Sequence, residues 1–138
     1  MTHDTKESVE VIRELYTVLK TRDFERTTAL LNPNMTADTP PGQVYIGGHY
    51  QGRANVIKGI WGRLGESWDP ITPNVAEFLD CGNGRVLALG RYDGVLKANG
   101  NKLDAPFAHL WTVQDGNVVH LQVYTDTAIW NKAGGQQL

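Results

Sequence analysis

The sequence has 138 residues, of which 41% are hydrophobic and 20% are charged, so it is long enough to bury the core of one compact domain. The formal net charge is -2 and the basic residues are scattered, which argues against nucleic acid as the main partner. No stretch approaches the roughly 20 apolar residues of a membrane span and no apolar signal segment opens the chain, so we expect a soluble cytoplasmic protein that does not bind membranes.

The N-terminal third is predicted to form two helices. Apolar side chains recur at helical spacing through residues 7–21, and Tyr16 lies on that apolar stripe. Residues 23–31 predict a second, shorter helix that is capped by the side chain of Asp23 and stopped by Pro33.

The middle of the chain combines a loop with a third helix. The glycines and prolines of residues 40–53 predict a loop without regular structure, after a short extended piece at residues 35–40. From about residue 53 to residue 68 the apolar spacing is again helical, with Trp61 on the apolar side.

From Asn74 onward the pattern is typical of β-strands. Two runs, residues 75–82 and 84–101, are separated by turn sequences of glycine and asparagine. Residues 132–138, KAGGQQL, predict a mobile tail, which leaves a core of about residues 5–130 in a single domain.

Residues 107–127 predict a β-hairpin, because Asp115-Gly116 supplies the positive φ that a type I′ turn requires. Gln114 then lies opposite Asn117, and alternation assigns every other residue to one face. The first predicted face mixes aromatic and polar residues: Phe107, His109, Trp111, Val113, Val118, His120, Gln122, Tyr124 and Asp126. The second is aliphatic: Ala108, Leu110, Thr112, Val119, Leu121, Val123 and Thr125. A bulge would exchange part of the two sets.

Helices followed by an antiparallel meander predict an α+β fold with the helices packed on one face of a curved sheet. The aromatic and polar face is expected to line a cavity for a small hydrophobic organic ligand, because a buried face with titratable groups is typical of a binding site. The aliphatic face then needs another cover. We therefore expect a homodimer formed through the sheet.

The sequence resembles the SnoaL-like branch of the nuclear transport factor 2-like, ketosteroid isomerase-like superfamily. The resemblance covers nearly the whole chain and is carried by ALLNPNMTADTP, VYIGGHYQGRANV and APFAHLWTVQDGNVVHLQVYTDTA. It implies a cone-shaped, cystatin-like α+β fold with N-terminal helices on a curved mixed or antiparallel sheet. Domains of this kind serve isomerases, cyclases, hydrolases and binding proteins, so the resemblance implies the fold more narrowly than the chemistry.

The resemblance to ketosteroid isomerases implies three catalytic positions. Asp38, in ADTPPG, matches the general base, and His109 falls where those enzymes carry an oxyanion-hole residue. Tyr16 falls near their helix-borne oxyanion tyrosine. Residue by residue, the alternatives stay open: Asp38 is a base or a turn residue, and His109 donates to a ligand or is hydrogen-bonded within the core.

A resemblance to limonene epoxide hydrolase-like proteins implies a different site. There Arg91, Asp93 and the catalytic Asp126 would activate water and protonate an epoxide. With a three-residue turn at residues 99–101, Arg91 and Asp93 face the cavity; with a two-residue turn they face away and form a surface ion pair. Asp126 is either a functional carboxylate or a strand-end residue in solvent.

The remaining candidates are assigned to the ligand cavity. Its wall and rim are expected to include Tyr16, Tyr45, Trp61, Phe107, Trp111, His120 and Tyr124. The four histidines lack metal-ligand spacing and no phosphate or dinucleotide motif is present, so we expect neither a metal site nor a cofactor.

These observations predict cofactor-free acid-base catalysis, of isomerase or cyclase type, on a ring-containing substrate. The first alternative is epoxide hydrolase-like activation of water by Asp126, with Arg91 and Asp93. The second is a domain without catalytic activity that binds a small molecule or only dimerises.

Overall fold

The structure, a computed structural model, describes residues 4–134, with side chains from residue 8 onward. The helices are α1 (Asp4–Lys20), α2 (Phe24–Leu30), α3 (Arg53–Val56), α4 (Arg63–Ser67) and α5 (Thr127–Ala133), and a π-helical segment, Ile57–Gly62, joins α3 to α4. The strands are β1 (Leu31–Thr39), β2 (Gly48–Gln51), β3 (Trp68–Gly82), β4 (Arg85–Leu96), β5 (Lys102–Gln114) and β6 (Asn117–Thr125).

The six strands form one curved mixed sheet in the order β2-β1-β6-β5-β4-β3. All neighbours are antiparallel except β1 and β6, which run parallel. The helices precede most of the sheet in sequence, and the α+β class predicted from that order is confirmed. No helix in the described part of the chain is long and apolar enough to cross a membrane.

Local sequence signals account for the ends of the second helix. Asp23 caps α2 by accepting a hydrogen bond from the backbone N–H of Arg26 at 3.1 Å, as predicted. The helix ends at Leu30 and β1 begins at once. Pro33 is tolerated within β1 because the pairing with β6 is interrupted between Leu31 and Thr36, where no ladder donor is required.

Two predicted irregular segments contain regular structure. The loop predicted for residues 40–53 includes β2, an edge strand that pairs with β1. Residues 132–134, predicted to begin a mobile tail, lie in or directly after α5, which is anchored by the fully buried Trp130. A four-residue strand and a seven-residue helix depend on the partner surfaces on which they pack, which sequence periodicity does not report. Residues 135–138 of the predicted tail lie outside the described residues.

The predicted hairpin is present, but a bulge changes its faces. Gln114 pairs with Asn117, and Asp115 and Gly116 have φ of 51° and 79°, which confirms the turn. Farther along, Val113 pairs with Val118 whereas Thr112 pairs with His120, so Val119 is an extra residue. This one-residue slip moves every later residue of β6 to the opposite face from the one predicted.

We call the concave side of the sheet, covered by the helices, the inner face, and the opposite side the outer face. The inner face includes these buried residues of β5 and β6: Phe107, His109, Trp111, Val113, Val118, Leu121 and Val123. The outer face includes His120, Gln122 and Tyr124, which the sequence had assigned to the inner set. That assignment was wrong because of the bulge at Val119.

Candidate functional site: a cavity under the helices

A cavity of about 940 Å³ lies between the helices and the inner face of the sheet. Its wall is largely apolar and includes Ile57, Ile60, Trp61, Ile71, Val75 and Phe78. The volume is within the range of sites that enclose drug-sized organic molecules. Polar side chains are few in this wall, so each constrains the ligand that the cavity can hold.

A chain of hydrogen bonds crosses the inner end of the cavity. The Tyr16 hydroxyl lies 2.6 Å from Nδ1 of His109, and the Tyr92 hydroxyl lies 3.0 Å from Nε2 of the same ring. The indole N–H of Trp111 donates to the Tyr16 oxygen at 3.0 Å. All four side chains line the cavity, so α1, β4 and β5 each contribute to one polar group in an otherwise apolar wall.

Burial keeps this chain of groups uncharged. Desolvation lowers the pKa of His109 to about 3, so the imidazole is neutral near pH 7. Desolvation also raises the pKa of Tyr92, and it raises the pKa of Tyr16 well above its ordinary value. Both phenols therefore keep their protons and act as hydrogen-bond donors rather than as bases.

The proton count leaves one donor unused. Trp111 can only donate, so the Tyr16 oxygen accepts its N–H. If Tyr16 donates to His109, the other ring nitrogen carries the proton and donates to Tyr92, whose own O–H is left over. If His109 instead donates to Tyr16, Tyr92 donates to the ring and the spare O–H belongs to Tyr16. Neither phenol has another acceptor among the described residues, so in each tautomer one phenolic proton has no acceptor among them.

Aromatic packing holds the imidazole in position. Phe107 stacks on His109 with ring centroids 4.1 Å apart and planes inclined by 22°. The ring of Tyr92 packs on Phe107 at 4.7 Å. His109 and Phe107 are 3% and 4% exposed, so the imidazole that joins the two phenols is preorganised and shielded from water.

Gln43 contributes a second polar group to the cavity. Its side chain is 4% exposed, and its Oε1 atom has no hydrogen-bond partner among the described residues. The backbone is held on both sides, since Gln43 N–H donates to Pro40 and its carbonyl accepts from Gly47. A buried acceptor without a partner costs about 1–3 kcal/mol, so a ligand that donates to this amide would recover that free energy.

The structure places Asp38 outside the cavity. Buried Met35 and Ala37 alternate along β1 with Thr36 and Asp38, which belong to the outer face. There Asp38 Oδ1 lies 2.6 Å from His49 Nδ1 and its Oδ2 lies 3.6 Å from His120 Nε2. The predicted roles of Asp38 as a cavity base and of His120 as a cavity residue are wrong, because strand alternation turns both side chains away.

The hydrolase-type residues do not meet in the cavity either. The β4-β5 turn has neither of the two lengths considered from the sequence, because the backbone N–H of Leu96 donates to the Asn101 carbonyl. The resulting register places Arg91 opposite Pro106 and Asp93 opposite Asp104, and both side chains are exposed and face away from the cavity. Arg91 Nε donates to Asp104 at 2.7 Å. Asp126 is the N-cap of α5, where its side chain accepts hydrogen bonds from the backbone of Ala128 and Ile129. The predicted water-activating cluster is therefore wrong.

The other cavity candidates divide into two groups. Trp61 and Trp111 line the cavity. Tyr45 and Phe107 lie outside the lining: the ring of Tyr45 packs on Trp68, and Phe107 stacks on His109. Tyr124 is 55% exposed on the outer face. The sequence analysis did not propose Tyr92 or Gln43. Only the alternation of side chains along the strand could have predicted Tyr92, because a strand with Arg91 on its outer face has the next residue on its inner face.

No Asp or Glu side chain lines the cavity in the described part of the chain. Within the same residues, no three His, Cys, Asp or Glu side chains cluster as metal ligands would. The arrangement can therefore polarise a carbonyl by hydrogen bonding, and it contains no carboxylate to remove a proton.

A family model described as a SnoaL-like domain matches residues 12–121. The structure resembles that of an NTF2-like protein from Burkholderia thailandensis E264, at 26% identity and a TM-score of 0.84, over 91% of this chain and 95% of that chain. It resembles TerC co-crystallized with polyporic acid at 23% identity, with a TM-score of 0.83 over 94% and 99%. A cystatin-like protein from Xanthomonas campestris is 16% identical, with a TM-score of 0.79 over 94% and 98%. No curated protein sequence matches the chain.

Proposed function

The chain belongs to the SnoaL-like family, and on that premise we propose that it binds a ring-containing, mainly apolar organic molecule through a carbonyl oxygen. The oxygen accepts the spare phenolic proton of the Tyr16–His109–Tyr92 chain. The apolar wall encloses the rest of the molecule. The spare proton carries this proposal, because a buried donor with no acceptor among the described residues favours a ligand that supplies one.

The lining supports a planar or polycyclic body. Trp61, Phe78 and Trp111 present aromatic surface to the cavity, and Ile60 and Val75 add aliphatic surface. Burying apolar area stabilises a complex by roughly 25 cal/mol per Å², so the body supplies affinity while the carbonyl fixes orientation.

A matched pair of ligands tests the proposal. 9-Fluorenone and fluorene have the same three-ring body and differ by the carbonyl oxygen. We expect isothermal titration calorimetry to show fluorenone binding about tenfold more tightly, as one hydrogen bond of about 1.4 kcal/mol requires. Polyporic acid, with which TerC was co-crystallized, joins the set as a further ring compound. Equal affinity for 9-fluorenone and fluorene, or no binding of any of the three compounds, would contradict the proposal.

An isomerase or cyclase activity is the second candidate. Protonated phenols in a desolvated site stabilise an oxyanion that develops on a carbonyl, which is a common catalytic device. Since no carboxylate of the described residues lines the cavity, we expect a substrate that is acidic enough to form its enolate without one, as a β-dicarbonyl compound is. Exchange of the α-hydrogen of 2-acetyl-1-tetralone in D₂O, followed by NMR, tests this activity. We expect the protein to accelerate this exchange and Tyr92→Phe to reduce the acceleration. If the protein does not change the exchange rate, only the binding role remains.

We further propose that the protein forms a homodimer through the outer face of the sheet, where apolar side chains are exposed or half-buried. Leu87, Leu89 and Leu110 adjoin one another there, half-buried, and none packs against the core. Leu79 and Tyr124 on the same face are 40% and 55% exposed. Sedimentation velocity is expected to give a dimer that Leu110→Glu dissociates, while Gln114→Glu at the strand end leaves it intact. A monomeric native protein would overturn the dimer.

A further inference from the structure

Among the described residues, every charged side chain that lines the cavity is basic. The chain as a whole has 15 acidic and 13 basic residues, so a lining chosen at random would include both signs. The described lining instead includes four exposed cations and no carboxylate. The four are Arg13, Lys20, Arg22 and Lys58. We call them the basic mouth.

No ion pair between described residues involves a side chain of the basic mouth. Among the described residues the ion pairs of basic side chains involve other groups, such as Arg26 with Glu14 and Arg91 with Asp104. Arg13 instead lies over the ring of Phe78, with its guanidinium carbon 4.7 Å from the ring centroid. Phe78 in turn packs edge-on against Tyr16 at 5.7 Å, which connects the mouth to the buried phenol through one aromatic ring.

These groups make the cavity polar at two places with different preferences. The inner end presents an uncharged donor, because burial keeps His109 neutral and both tyrosines protonated. The mouth presents permanent positive charge in partial contact with water. An anion is better accommodated at the mouth, where it keeps part of its hydration, than at the dry inner end.

We propose that the ligand of this cavity is an organic acid, with an apolar ring body and a carboxylate or acidic enol that remains at the basic mouth. This proposal rests on the binding function proposed above and adds the charge class of the ligand. Cations around a concave opening with low-dielectric walls also raise the local concentration of an anion. The basic mouth therefore increases the rate at which the acid binds and also stabilises the bound complex.

The test uses a second matched pair. 9-Fluorenone-2-carboxylate and 9-fluorenone-2-carboxamide have the same body and carbonyl and differ in charge. We expect calorimetry in 20 mM NaCl to show the carboxylate binding at least tenfold more tightly than the carboxamide. In 300 mM NaCl this preference is expected to fall to less than half, because salt screens charges at an exposed mouth.

A charge-matched pair of variants locates the effect. The double variant Lys20→Gln with Arg22→Gln removes two cations from the mouth, and we expect it to reduce the preference for the carboxylate to about twofold. The double variant Lys97→Gln with Lys132→Gln removes two exposed cations that do not line the cavity. It is expected to keep the preference of the native protein.

The outcomes separate the two proposals. If carboxylate and carboxamide bind equally while fluorenone still binds better than fluorene, the acidic ligand is overturned and the binding function stands. If both double variants reduce the preference alike, the net charge rather than the mouth is responsible and the proposal is again overturned. If no fluorenone binds at all, the binding function fails and the acidic ligand fails with it.

Discussion

The hydroxyl of Tyr16 lies 2.6 Å from Nδ1 of His109, so a residue of the first helix and a residue of the fifth strand, 93 positions apart, share one hydrogen bond. The helix is thereby fixed over the sheet at the inner end of the cavity. The same hydroxyl accepts from Trp111, so this one oxygen makes two contacts that hold the fold and define the site.

The two phenols are expected to differ in their contribution to stability. Tyr16→Phe leaves two groups unpaired, the indole N–H of Trp111 and Nδ1 of His109, whereas Tyr92→Phe leaves one, Nε2 of His109. At about 1–3 kcal/mol for each buried group left unpaired, we expect Tyr16→Phe to lower the free energy of unfolding about twice as much. Urea unfolding at pH 7 measures both, and equal losses would contradict the network.

The neutral state of His109 predicts a pH dependence of stability. In the unfolded chain the imidazole has its ordinary pKa of 6.5, whereas burial lowers the pKa of the folded group to about 3. Between these values the unfolded chain takes up a proton that the folded chain does not, so this group makes stability fall as pH falls from 6.5 to 3. The slope from this residue alone is up to about 1.4 kcal/mol per pH unit.

Two measurements check that dependence. Urea unfolding between pH 4 and pH 7 should show a shallower pH slope for His109→Gln, which retains a donor and an acceptor but does not titrate. In the native protein, the imidazole ¹⁵N shifts of His109 should report a neutral ring at pH 4.5. A protonated His109 at that pH would disprove the desolvated site.

Substitution of Asp38 is expected to leave ligand binding in the cavity unchanged. Its carboxylate belongs to the outer face, where it contacts His49 and His120. We therefore expect Asp38→Asn to leave the affinity for 9-fluorenone unchanged within twofold, while Tyr92→Phe weakens it. Titration calorimetry compares the two variants. A large loss of fluorenone affinity in Asp38→Asn would show that this carboxylate takes part in binding.

Asp126 is expected to act on stability alone. Asp126→Ala removes the acceptor that caps α5 and should cost about 1 kcal/mol, whereas Asp126→Ser retains a capping oxygen and should cost much less. Neither substitution should change fluorenone affinity. Parallel thermal unfolding and calorimetry test both statements, and a binding loss in the capped Asp126→Ser protein would contradict them.

Two glycines of the third helical region are expected to respond oppositely to alanine. A Cβ at Gly59 would overlap the ring of Tyr50, which is held by its hydroxyl donating to the Ile46 carbonyl at 2.8 Å. Gly59→Ala should therefore destabilise the protein by about 1–3 kcal/mol. A Cβ at Gly65 would meet nothing within 4 Å, so Gly65→Ala should stabilise the protein by up to about 1 kcal/mol. Urea midpoints that move the same way would refute this packing.

Much of the fold could be predicted from local signals. The cap at Asp23 and the turn at Asp115-Gly116 depend on residues within three positions, and both are present. Periodicity located the first helix and most strands because burial of one face repeats along each element. The short strand β2 and helix α5 were missed because their stability comes from the surfaces against which they pack.

The sequence by itself determined the α+β class, the order of the main elements and the buried side of β5, where Phe107, His109 and Trp111 alternate before any irregularity. Only the tertiary structure decided which polar residues reach the cavity. One extra residue, Val119, turns His120 outward, and the register of the β4-β5 hairpin turns Arg91 outward and Tyr92 inward. Strand side chains alternate with a period of two, so a slip of one residue, which pattern alone does not reveal, exchanges the two faces.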